Sequence, residues 1–167
     1  MVSSNTYSFT ADTGDEIYRR SLYSFWKRAM PPPQMTIFDA PTRESCIARR
    51  ERTNTPLQAL VLMNEKQYFQ SARHFALQLL AVTEMNEKER LDWAYESITA
   101  QLPDDVELAA LQEGLDTFQA VYDNDLPSAK ALTVDLTAPS DKQRIEIAAY
   151  TLLINSLFNL DITKSRE

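Results

Sequence analysis

Only two glycines occur in the 167 residues, Gly14 and Gly114, and this scarcity constrains the fold more than any other feature. Tight β-hairpins and phosphate-cradling loops both need backbone positions that glycine adopts at little cost. A sandwich of short strands and a glycine-rich nucleotide loop are therefore both disfavoured. The length suits one hydrophobic core. A composition of 44% hydrophobic and 25% charged residues belongs to a folded chain rather than a disordered one.

Helix punctuation fills the space that glycine leaves. In Thr55-Pro56-Leu57-Gln58, Thr can cap a helix, Pro fits its first turn and Gln completes a capping box. Leu57, Leu60 and Val61 would then fall on one face. Asn64-Glu65-Lys66-Gln67 reads as a second capping box, ending that helix and opening another with Tyr68, Ala72, Phe75, Ala76 and Leu79 inward. Asn86-Glu87-Lys88-Glu89 repeats the pattern before Leu91, Tyr95, Ile98 and Leu102, with Pro103 as the stop. Asp104 and Asp105 suit the positive end of a helix dipole, and Leu108, Leu111, Leu115, Phe118 and Tyr122 follow at three-and-four spacing. A short turn is expected after Pro127. Ser140-Asp141-Lys142-Gln143 then caps a last helix, apolar on more than one face through Ile145, Ala148, Ala149, Leu152, Leu153, Leu157 and Phe158, which belongs in the core.

The start of the chain reads differently. Residues Met1 to Gly14 form a loose polar arm. Ile17 to Arg28 has no clean apolar face, and its aromatic content leans towards an extended segment. Pro31, Pro32 and Pro33 forbid helical continuation and act as a stiff spacer. Gln34 to Asn54 reads as a connection wrapped over the surface. The expected fold is mainly α, an irregular bundle of about four to five helices with an extended or short-β N-terminal segment. Residues 1–54 form an arginine-rich segment packed on a helical core of residues 55–167, the two making one domain.

The net charge of −7 disfavours general attraction to nucleic acid or anionic membranes. Tyr18, Tyr23, Phe25 and Trp26 interleave with Arg19, Arg20, Lys27 and Arg28 as on single-strand nucleic-acid platforms. Such side chains more often cover a core edge or pair with acidic groups, so no nucleic-acid partner is expected. No apolar run is long enough to span a membrane, and the first thirty residues carry no leader pattern. One cysteine excludes an internal disulfide, and one histidine, His74, excludes a His-rich metal site. Asp104 with Asp105, and Asp123 with Asp125, fit helix-start and turn roles better than cation binding. No metal or cofactor is expected in this chain.

The densest polar cluster is Arg43, Glu44 and Cys46 with Arg49, Arg50 and Arg52. A thiol beside cations has a lowered pKa, but a nucleophile also needs a base, and lone cysteines are more often small buried hydrophobes. Arginine forks bind acidic surfaces well. Arg43, Glu44, Cys46, Arg50 and Arg52 are thus candidates for interaction or anion binding, with acid–base chemistry as the catalytic alternative.

Read as a whole, RRSLYSFWKRAMPPPQMTIFDAPTRESCIARRERTNTPLQALVLMNEKQYFQSAR, with Asn159-Leu160-Asp161 and Thr163-Lys164 further on, resembles the C-terminal part of the planctomycete-type domain of unknown function 1553. The resemblance is strongest over Tyr18 to Arg73. It implies a large exported bacterial protein with an upstream domain of unknown function and often a cytochrome c-like segment. No C-x-x-C-H occurs here, so any haem would belong upstream. The resemblance therefore suggests a fragment: an accessory or interaction module in an extracytoplasmic protein, partnered by its upstream domains. The alternative is part of an enzyme active site completed by the upstream region.

Overall fold

A computed structural model describes residues 14–19, 21–23, 26, 31–41, 45–49, 51–136 and 140–164. The chain divides into two compact units, Met1–Arg50 and Glu51–Glu167.

In the first unit, Gly14–Tyr18 and Ser21–Tyr23 are single 3₁₀ turns, and no strand occurs among the described residues. The extended reading of Ile17 to Arg28 therefore gives way to 3₁₀ turns at Ile17, Tyr18 and Ser21–Tyr23. Without a one-sided apolar pattern nothing fixes a strand register, whereas a 3₁₀ turn satisfies its own backbone locally. Arg19 closes the first turn by pairing with Glu16 at 2.7 Å. The proline run is not simply a spacer either. Pro33 opens a short helix, α1 (Pro33–Ile37), because proline's fixed φ and missing N–H suit a first turn. The backbone leaves α1 through Asp39, at a φ of 56°.

Among its described residues the second unit holds seven helices: α2 (Pro56–Asn64), α3 (Lys66–Ala81), α4 (Glu87–Thr99), α5 (Asp105–Asn124), α6 (Leu126–Leu132), α7 (Asp141–Leu157) and α8 (Asp161–Lys164). Local chemistry explains most of their boundaries. The Thr55 hydroxyl accepts from the Gln58 N–H while the Gln58 carboxamide accepts from the Thr55 N–H. Asn86 with Glu89, Asp104 with Glu107 and Ser140 with Gln143 make the same reciprocal pair at the starts of α4, α5 and α7. Each box satisfies two backbone donors that a helix start otherwise leaves open.

Two boundaries depart from the sequence reading. The cap of α3 is Glu65, whose carboxylate accepts from the Gln67 N–H at 2.6 Å, while the Asn64 side chain donates back to the Leu60 carbonyl at 2.9 Å. One extended residue separates α2 from α3, which leaves no room for an Asn64 box. Helix α4 stops at Thr99 rather than at Leu102, because Ala100 takes a left-handed φ of 62° and turns the chain. Leu102 is left exposed.

Helix α7 is the hub. It packs along α3 and α5 and also meets α2, α4 and α6. The main core joins Ala72, Ala76 and Leu79 of α3, Leu91 and Tyr95 of α4, Leu111 and Leu115 of α5, and Tyr150, Leu153 and Ile154 of α7. Phe75 and Trp93 meet edge to face against it, with ring centres 5.8 Å apart. A smaller cluster of Tyr122, Ala129 and Ala148 seats α6. Alanines at the α3 and α7 contacts let the backbones approach closely, which suits ridge-into-groove packing.

Candidate interaction site

The residues singled out from the sequence fall in both units. Cys46 lies in the irregular run 45–49, with its thiol free and exposed, so it is not the packed small hydrophobe that lone cysteines most often are. Arg43, Glu44 and Arg50 lie outside the described residues. Arg52 belongs to the second unit and is exposed in the run leading into α2. His74 is exposed on α3. No group of His, Cys, Asp and Glu able to hold a metal ion occurs among the described residues.

The structure gathers a different set around Asn54. Its carboxamide nitrogen donates to Asp161 Oδ1 at 2.8 Å, and its carboxamide oxygen accepts from Lys164 Nζ at 2.6 Å. One side chain thus uses its donor and its acceptor on both ends of α8, across more than a hundred residues. On either side of Asn54, the Gln58 carboxamide accepts from the Thr55 N–H at 3.2 Å and donates to Thr53 Oγ1 at 3.0 Å. Gln58 is only 2% exposed, so a buried amide fixes the arch that aims Asn54. The stretch Arg52 to Gln58 and the stretch Asn159 to Lys164 both carry the family resemblance. What the sequence did not reveal is that they meet; the only signal was that both were patterned and polar.

Helix α2 has two apolar faces. Gln58 and Leu62, one turn apart, are the buried pair. Leu57, Leu60 and Met63 are 54%, 57% and 55% exposed, so Leu57 and Leu60 turn outward. Periodicity cannot orient a helix that is apolar nearly all round. Gln58 can take the inward side because its buried amide is hydrogen-bonded there, to the Thr55 N–H and to Thr53 Oγ1 among its partners.

Elsewhere the electrostatics serve the scaffold. Arg73 on α3 pairs with Asp135 after α6, and its hydrogen bond holds the Asp135 carboxyl below the usual carboxylate range. Arg144 of α7 donates to the Thr133 carbonyl at 3.0 Å and to its hydroxyl at 2.7 Å. Burial, then a 2.6 Å hydrogen bond to Glu107, pushes the Tyr95 hydroxyl up to about 12. These contacts fix loops and helix ends, and they present no reacting pair.

Helical packing and a polar cluster around Asn54 together define a helical scaffold. The family described as Protein of unknown function (DUF1553) matches residues 2–115. The chain belongs to that family. No curated protein and no solved structure matches it. Among the described residues, no helix is long and apolar enough to cross a membrane.

Proposed function

We infer that this chain is an accessory, non-catalytic interaction module of a larger exported bacterial protein, docked to upstream domains of the same protein through the outward face of α2. The observation that carries this reading is the exposure of Leu57, Leu60 and Met63 on a helix that is apolar nearly all round. A helix of this kind is ordinarily covered on every side. Three half-exposed side chains offer on the order of 300 Å², far below the roughly 800 Å² per partner of a free-standing complex. A tethered neighbour has no such requirement, because its effective concentration is high without added contact area. Arg52 lies four residues before the α2 start and is exposed, where a guanidinium can meet an acidic rim with forked hydrogen bonds. Extracytoplasmic placement, and a cytochrome c-like segment elsewhere in the same protein, follow from the family resemblance; this chain's own residues call for no cofactor.

A photo-crosslinking residue placed at Leu60, with Lys88 on α4 as a control position, tests the reading in the native host. Adducts at position 60 to another domain of an exported protein support it. Equal yields at both positions, or adducts only to cytoplasmic proteins, overturn it.

One observation favours the catalytic alternative, in which this region completes an upstream active site: the Cys46 thiol is exposed and open to reagents. Activity of the whole protein lost in Cys46→Ser and Glu44→Gln would support that alternative, and activity surviving both would remove it.

A further inference from the structure

We propose that the docking face of α2 continues along α3, and that the neighbouring surface it meets is uncharged, apolar opposite α2 and carrying backbone or amide groups opposite α3. The inference rests on the α2 reading above and names the chemistry of its partner. Gln67, Gln70, His74 and Gln78 follow at three-and-four spacing, so they form one stripe on α3, roughly 16 Å long at about 1.5 Å per residue. His74 and Gln78 are exposed, and Gln67 and Gln70 are partly so. The opposite side of α3 holds Ala72, Ala76 and Leu79 in the core. Helices α2 and α3 pack on each other and both pack on α7. Each turns its buried residues inward, so their remaining faces look away from the hub together.

Charge singles this surface out. Over the 31 residues from Thr53 to Thr83, and counting histidine as neutral, the charged side chains are Glu65, Lys66 and Arg73, whereas residues 84–167 hold 17 acidic and 7 basic ones. Two of those three are engaged: Glu65 caps α3 and Arg73 pairs with Asp135. The outward face of a surface helix is ordinarily charged or polar, while the centre of an interface is depleted of charge, because desolvating an ion costs far more than desolvating an amide. Among the described residues the carboxamides of Gln67, Gln70 and Gln78 have no hydrogen-bond partner, so each offers both a donor and an acceptor. A charged surface laid on this stripe would lose its hydration and gain no ion pair. A neutral one that supplies backbone or amide groups would exchange its hydrogen bonds with water for bonds to the stripe.

A photo-crosslinking residue at Gln78, set beside the one at Leu60 in the whole protein in its native host, tests the proposal. Both positions should give adducts to the same domain. With the crosslinker at Leu60, the paired substitutions His74→Glu and Gln78→Glu should lower its yield about tenfold, because two carboxylates would be desolvated against a neutral surface. Lys88→Glu on α4 should leave that yield unchanged. His74 and Gln78 are exposed, so the double variant should melt close to the parent chain, which separates lost docking from lost folding. Adducts at position 60 with none at 78, or a yield at 60 untouched by the double variant, overturn the extension along α3 and leave the α2 reading standing. A raised yield means a basic partner and overturns the neutral surface. No adducts at position 60 overturn both readings.

Discussion

Asn155, near the end of α7, donates its side-chain amide to the main-chain carbonyl of Leu62, 3.1 Å away and 93 residues earlier. The carbonyls in the last turn of a helix have no partner within that helix. The Val61 carbonyl receives the N–H of Glu65, and the Leu62 carbonyl receives Asn155. A buried asparagine thus completes the end of α2 and ties it to the hub helix, at a place where a hydrophobic side chain would leave a polar atom unpaired.

Asn155→Ala should therefore destabilise the chain by about 1–3 kcal/mol, the cost of a buried acceptor without a donor. Urea unfolding followed by circular dichroism checks this: the midpoint should fall with the slope unchanged.

Glycine and alanine occupy two backbone positions the wrong way round. Gly114 sits in the interior of α5, where an added Cβ would lie 3.6 Å from Leu153 Cδ1, an ordinary contact. Ala100 holds a left-handed φ of 62° at the end of α4. Gly114→Ala should stabilise by about 0.5–1 kcal/mol through helix propensity, and Ala100→Gly by about 1 kcal/mol through relief of the left-handed strain. Melting of the single and double variants checks both, and at such a separation the gains should add.

Alkaline stability depends on Tyr95. Its hydroxyl is raised from 10.0 to about 12 in the fold, so between those values the folded chain keeps a proton that the unfolded chain has released. Stability consequently falls as pH rises through this window. Tyr95→Phe should cost about 1–2 kcal/mol at neutral pH and flatten the decline above pH 10. Tyr68, Tyr122 and Tyr150 are also raised by burial, so the slope should shrink without vanishing. Thermal melts from pH 8 to 12 separate the two effects.

Acid acts through Asp135, whose carboxyl is held below its usual 3.8 by the hydrogen bond from Arg73. Its contribution is complete above that usual value and is lost as pH falls through the lower folded one. Asp135→Asn should slightly lower the melting temperature at pH 7, and the gap from the parent chain should close in strong acid. Paired melts at pH 7 and about pH 2 check the sign.

Much of the helical architecture was legible because its signals are local. The boxes at Thr55, Asn86 and Ser140 need only residues three apart, and the stripe through Leu111 and Leu115 needs only one helix. The orientation of α2 was not legible, because Leu57, Leu60, Val61 and Leu62 leave no polar face to point outward; Gln58 takes the inward side with its buried amide bonded. The α4 stop was missed because Ala100 carries no glycine-like signal for a left-handed turn. The meeting of Asn54 with Asp161 and Lys164 depends on how α2, α7 and α8 pack, which no local pattern encodes. The candidate cluster at Arg43 to Arg52 was legible as composition only, since polar density in one dimension does not say which side chains converge.

If α2 presents Leu62 to the core and Leu60 to a partner, the melting temperatures of Leu60→Lys and Leu62→Lys in this chain should differ sharply. A charge at position 60 should leave the melting temperature within a degree or two, since surface substitutions seldom exceed about 0.5 kcal/mol. A charge at position 62, only 7% exposed in the parent chain, should lower it severely or prevent folding. Equal losses in the two variants would mean that Leu60 is packed within the chain itself, and would contradict the docking face.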